Sequence, residues 1–141
     1  SMPADETVGL VHGDFQPGNI LYDGGEATGV IDWDLAAIGP QGIDVGWLMM
    51  MADTAAWHPA FRPVAPVPKD ELLGIYRSRG GPAHAHARWY QAFAHLRMGS
   101  IAGLNLKLHR NGTRVDPIWE KFDLSIPTLI DAAFDMLRSE I

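Results

Sequence analysis

The chain contains no cysteine, which excludes disulfides and thiolate metal sites and suits a reducing compartment, so the cytoplasm is the expected location. It also lacks a long apolar run. The longest, Val45 to Ala52, is far too short to cross a bilayer, and the N-terminus has neither the basic segment nor the apolar core of a signal peptide. No membrane partner is expected. Positive charge is scarce: Lys and Arg number 11 against 17 Asp and Glu, for a net charge of -6, and no basic cluster is interleaved with aromatics. That argues against nucleic acid as a partner. There is no internal repeat and no low-complexity segment. What remains is 141 residues that are 47% hydrophobic, enough to bury one real core, so a single domain spanning 1–141 is expected.

The informative stretch is His12-Gly13-Asp14-Phe15-Gln16-Pro17-Gly18-Asn19, followed by an apolar run ending in Ile31-Asp32-Trp33-Asp34. Taken singly, Asp14 reads as a turn residue, Asn19 as an Asx-turn or strand-edge residue and Asp32 as a loop cap. Taken together they are the oxygen donors that phosphoryl transfer requires: one carboxylate to accept a proton from an attacking hydroxyl, and an amide oxygen and a second carboxylate to hold Mg²⁺. Asp14 is the candidate base, and Asn19 and Asp32 are the candidate metal and cofactor-binding residues. Asp34 either joins the metal shell or faces solvent.

Local patterning places these residues. Val8 to Val11 reads as a strand, and Asn19 to Tyr22 and Ala27 to Ile31 read as a hairpin around Asp23-Gly24-Gly25. Antiparallel pairing sets Asn19 at the start of one arm and Asp32 at the end of the other, so their side chains converge. A loop is expected over Leu35 to Gly42, after which the pattern turns helical: Asp44 to Ala52, Lys69 to Arg79 beyond a proline-rich connection, about His86 to Lys107, and a last helix starting near Pro127. In the third of these Trp89, Ala92, Phe93, Leu96, Ile101, Leu104 and Leu108 mark the expected apolar face. The Met-rich run Val45 to Met51 reads as core, and His84 and His86 as solvated loop histidines.

The motif resembles that of the aminoglycoside phosphotransferase and choline kinase family, relatives of the protein kinases: His-Gly-Asp, four variable residues and Asn, then a strand ending in Ile-Asp-aromatic and an acidic residue. His12, Gly13, Asp14, Asn19, Ile31, Asp32, Trp33 and Asp34 match in turn, with Pro17 where the family loop commonly has proline. The resemblance implies a mainly helical α+β fold, the C-terminal lobe of a kinase-like protein with a small antiparallel hairpin bearing the catalytic and metal residues. It implies Asp14 as base or hydroxyl-orienting group, Asn19 and Asp32 as Mg²⁺ ligands, ATP as co-substrate and His12 as packed scaffold. Asp44 is similar to the family's aspartate that bonds the catalytic-loop backbone; an ordinary N-cap predicts much the same location. Gln16 stands where protein kinases carry a Lys near the transferred phosphate, and Gly13 where they carry an Arg that reads phosphorylation. The stretch Trp89 to Lys107 is similar to a branch of the family fused to acyl-CoA dehydrogenases.

A complete kinase of this class also has an N-terminal lobe with a strand Lys, whereas eleven residues precede His12 and Lys69, Lys107 and Lys121 all lie downstream. The expectation is therefore an ATP-dependent phosphotransferase acting on a small-molecule hydroxyl, present as its catalytic lobe and weakly active or inactive in isolation. Two alternatives stay open. One is a catalytically silent kinase-like module that binds or dimerises through apolar surface bared by the missing lobe; the other is a Mg²⁺-dependent phosphoester hydrolase. Trp57, His58, Asp53 and Trp89 are loose candidates for the acceptor pocket.

Overall fold

Val8–Val11 forms β1, and its backbone groups find an antiparallel partner in β4, Ala37–Pro40, with Val8 opposite Pro40 and Val11 opposite Ala37. In this computed structural model, which describes residues 3, 7–62 and 67–138 (side chains 83 and 84 excepted), the segment expected to be a loop after residue 35 thus holds a strand. Ala37-Ile38-Gly39-Pro40 has no alternation to announce it, and Pro40 lacks a donor and is tolerated at the end of an edge. The unpaired N–H and C=O groups of β1 require a partner, and β4 supplies it.

Between these strands lies the expected hairpin, β2 at Ile20–Asp23 and β3 at Glu26–Val30. It turns at Gly24 and Gly25, with φ of +57° and +90°, the left-handed values that a tight two-residue turn demands. A bulge between Leu21 and Tyr22 shifts the register.

Among the described residues four helices follow: α1 (Gly42–Ala52), α2 (Lys69–Ser78), α3 (Ala87–Arg110) and α4 (Ser125–Arg138). Short 3₁₀ turns at Pro82–His86 and Pro117–Phe122 join them. The first of these turns carries the expected loop residue His86, which is exposed, while the side chain of His84 lies outside the described residues. Met49 and Met50 are buried as the Met-rich run implied, and Trp47, Met50, Ala94, Met98, Ala102 and Leu129 of α1, α3 and α4 form one core cluster with Trp57 of the segment after α1.

The buried face of α3 is only partly the expected one: Ala92 is buried and Ile101 packs against the core. Phe93, Leu96 and Leu104 are exposed, whereas Tyr90, Gln91, Ala94, His95, Met98, Gly99 and Ala102 are buried. Small residues explain the difference, because they let helix backbones close in. A Cβ on Gly42 or Gly46 of α1 would fall inside Tyr90, and one on Gly99 would meet Ile130 of α4 at 2.9 Å. Among the described residues, no helix is long and apolar enough to cross a membrane.

Candidate active site

β1 delivers the chain to His12, which is 2% exposed. From there the loop is braced on three sides. The His12 and Gly13 N–H groups both donate to the Asp44 carboxylate, at 2.7 and 2.8 Å. Asp44 is therefore not an N-cap: Gln41 holds that position, and Asp44 sits in the first turn of α1 facing back to the loop. The Gly13 carbonyl accepts from Arg97 Nη1 of α3 at 2.8 Å. Gly13 itself has φ +84°, and a Cβ there would lie 2.6 Å from the Leu35 carbonyl oxygen, so both conformation and space require glycine.

The His12 ring joins the loop to the hairpin. Its Nδ1 accepts from the Asp14 N–H at 3.2 Å, so the proton resides on Nε2, which donates to the Ile31 carbonyl at 2.9 Å. The Trp33 ring tilts against it, centroids 4.6 Å apart. With both nitrogens committed and the ring buried, His12 braces the site and has no free atom for proton transfer.

Asp14 follows at the end of this brace. Its carboxylate accepts from Gln16 Nε2 at 3.1 and 3.0 Å and from Asn19 Nδ2 at 3.0 Å. All three contacts come from neutral amides, which orient a carboxylate without neutralising it. Asn19 Nδ2 also donates to the Asp14 backbone carbonyl at 2.9 Å, so the amide nitrogen is spent and Oδ1 is left as an acceptor.

The pairing of β2 with β3 runs one residue further, through the Ile31 N–H to the Asn19 carbonyl at 2.9 Å. Asp32 comes next, on the same end of the hairpin as Asn19. Its φ of +65° is the only positive value outside glycine among the described residues. That conformation costs on the order of 1 kcal/mol and is eased by a short polar side chain. It is kept where the Trp33 Nε1–H donates to the Val30 carbonyl at 2.8 Å. Asp32 and Asp34 are both exposed, with no described hydrogen bond or ion pair on either carboxylate. Among the described residues no three His, Asp or Glu side chains gather into a metal cage. The donor chemistry still fits Mg²⁺, which takes one or two protein oxygens and completes its shell with water and phosphate oxygens. Asn19 Oδ1 and the Asp32 carboxylate are such unspent hard donors.

Asp14, Gln16 and Arg97 share the lining of a cavity of about 500 Å³, whose walls are Trp47, Trp57, Phe61, Trp119, Phe122 and other apolar side chains. Of the loose pocket candidates, only Trp57 lines it. Asp53 is sequestered among Lys69 and Gln91, the His58 N–H donates to Ser125, and Trp89 stacks on Phe93 at 5.7 Å. Arg97 lines the candidate site too, and the motif does not announce it. A signal existed: Arg97 stands three residues after Ala94 and four before Ile101, a charge set in a row otherwise apolar.

The profile of the phosphotransferase enzyme family matches residues 1–98. A probable acyl-CoA dehydrogenase of Arabidopsis thaliana, IBR3, is 32% identical over 119 residues, which is 72% of this chain and 14% of that protein. The chain thus spans about one seventh of the relative's length. No solved structure matches. With its His-Gly-Asp loop, paired hairpin and matching profile, the chain belongs to the phosphotransferase enzyme family.

Proposed function

We propose that the chain is the catalytic lobe of an ATP-dependent kinase that transfers the γ-phosphate to a hydroxyl of a small molecule, in the cytoplasm. The observation that carries this reading is the Asp14 carboxylate, oriented by neutral amides at the edge of an aromatic-walled cavity and one bond from Asn19. Asp14 accepts the hydroxyl proton as the acceptor oxygen attacks the γ-phosphorus and the bond to the β-phosphate oxygen breaks. Asn19 and Asp32 would hold Mg²⁺, which when bound would offset the negative charge of the phosphates. Asp44, His12 and Arg97 keep the loop in place, and the apolar walls exclude water that would otherwise compete with the acceptor.

The test is ³¹P NMR of the intact protein with ATP, Mg²⁺ and a panel of small alcohols. ATP-dependent phosphorylation that falls by about 10² to 10⁴ in Asp14→Asn is the expected result. Equal turnover by that variant, or hydrolysis of a phosphoester with no nucleotide present, contradicts it.

A second reading, a docking or self-associating module, is favoured by one feature. Val8, Leu10 and Ile38 stand on one face of the β1–β4 pair at 63%, 58% and 76% exposure. Light scattering decides it: a concentration-dependent dimer that Leu10→Lys dissolves supports association through this face, and a monomer at all concentrations excludes it.

A further inference from the structure

We propose that Arg97 is an oxyanion-binding residue, which makes the edge of the cavity beside Asp14 an anion subsite. The inference deepens the phosphotransfer reading and takes from it only the placing of Asp14 at the reacting end.

Three observations carry it. The loop brings no cation of its own: Gln16, standing where protein kinases have a Lys, spends its Nε2 on both oxygens of Asp14. Among the residues lining the cavity Arg97 is the sole cation, and of the lysines Lys69 is bound to Asp53, which faces elsewhere, while Lys107 and Lys121 are exposed. Arg97 is also pre-organised. Its Nη1 is tied to the Gly13 carbonyl and its guanidinium lies 4.7 Å from the centre of the Trp47 ring.

A guanidinium so held has little rotamer freedom left to lose. No described bond uses its Nε or Nη2 donors, which leaves them available to an oxyanion. Planar donors of this kind match phosphate and carboxylate geometry, and apolar surroundings strengthen the attraction. The oxyanion has two sources, the phosphoryl group in transfer or a carboxylate on an acceptor whose apolar body occupies the aromatic cavity. Both place negative charge beside Arg97 with a hydroxyl near Asp14.

The experiment is a titration of the wild-type chain with inorganic phosphate in one arm and hexanoate in the other. It is followed by the ¹⁵N–¹H resonance of the Arg97 side chain, identified by its loss in Arg97→Lys. A saturating shift of that resonance is expected in at least one arm. Affinity should fall at least about tenfold in Arg97→Met, be partly kept in Arg97→Lys, and rise in Asp14→Asn, where a neighbouring negative charge is gone. A response to phosphate alone assigns the subsite to the phosphoryl group; a response to hexanoate assigns it to the acceptor. No saturation at tens of millimolar in either arm, or binding that leaves the Arg97 resonance unmoved, overturns the proposal. Should Arg97→Met fail to fold, the wild-type shift and the Asp14→Asn response decide. Because anion capture is measured without turnover, its failure leaves phosphotransfer standing, and failure of transfer leaves anion capture standing.

Discussion

Asp44 and Asp53 sit at opposite ends of α1 and are used in opposite ways. Asp44 lies in the first turn, where the helix dipole favours a carboxylate, and needs no cation; both its oxygens are free to accept loop N–H groups. Asp53 is the C-cap, where the dipole opposes it, and it is 5% exposed. It is held by Lys69 Nζ at 2.9 Å and Gln91 Nε2 at 2.8 Å, with His95 Nε2 3.8 Å away. The first carboxylate positions the His12–Asn19 loop, and the second clamps α1, α2 and α3 together. A favourable helix end leaves an acidic side chain free to position something else, while an unfavourable end consumes it in its own stabilisation.

The largest effect should come from Asp53→Ala, which strands the buried Gln91 amide and unpairs the half-buried Lys69, lowering unfolding free energy by about 3 kcal/mol while leaving the loop's bonds to Asp44 intact. Urea melts measure it, and a smaller loss than that of Asp44→Asn breaks the comparison. Gly46→Ala should rank next, losing roughly 1–3 kcal/mol because its methyl would enter Tyr90, with the same melts as the readout. Asp44→Asn replaces one accepting oxygen by a donor facing an N–H, lowering stability by about 1–3 kcal/mol; phosphoryl transfer should fall further than the melt accounts for, since the loop loses its aim.

A smaller effect is written in pH. Burial holds the His95 imidazole below its ordinary 6.5, against the Gln91 carbonyl and Asp53, which raise it, and with Lys69, which lowers it. The folded protein resists a proton that the unfolded chain accepts, so this contribution is complete above about pH 6.5 and declines as pH falls toward the lower folded value. Melting curves across that window should flatten in His95→Gln; an unchanged slope contradicts the assignment. The least effect should follow Arg110→Ala. Arg110 pairs with Glu120 and Asp123 at 2.7 and 2.8 Å, yet with a side chain 49% exposed, so its melting temperature should shift slightly at low salt and not at high salt.

Much of the local geometry around the candidate residues was legible because its information is local. The spacing from His12 to Asn19 and the Gly24-Gly25 turn are short-range signals, and β2 and β3 carry them into the geometry that sets Asn19 beside Ile31. The rest depended on distant partners. β4 exists because β1 needs it, which Ala37-Ile38-Gly39-Pro40 does not advertise. The buried face of α3 is set by Gly42, Gly46 and Gly99, whose absent side chains leave no mark in a hydrophobic pattern. Arg97 reaches a carbonyl 84 positions earlier in the chain, a link that only the packing of α3 on α1 reveals.

The central claim is that Asp14, Asn19 and Asp32 serve one divalent ion and its phosphates. Its most direct test is paramagnetic broadening of ¹⁵N-labelled chain by Mn²⁺ in the presence of ATP. The account predicts that the signals of residues 14, 19 and 32 broaden first and that Asp32→Ala abolishes the pattern. Broadening centred elsewhere, or unchanged by Asp32→Ala, would contradict it.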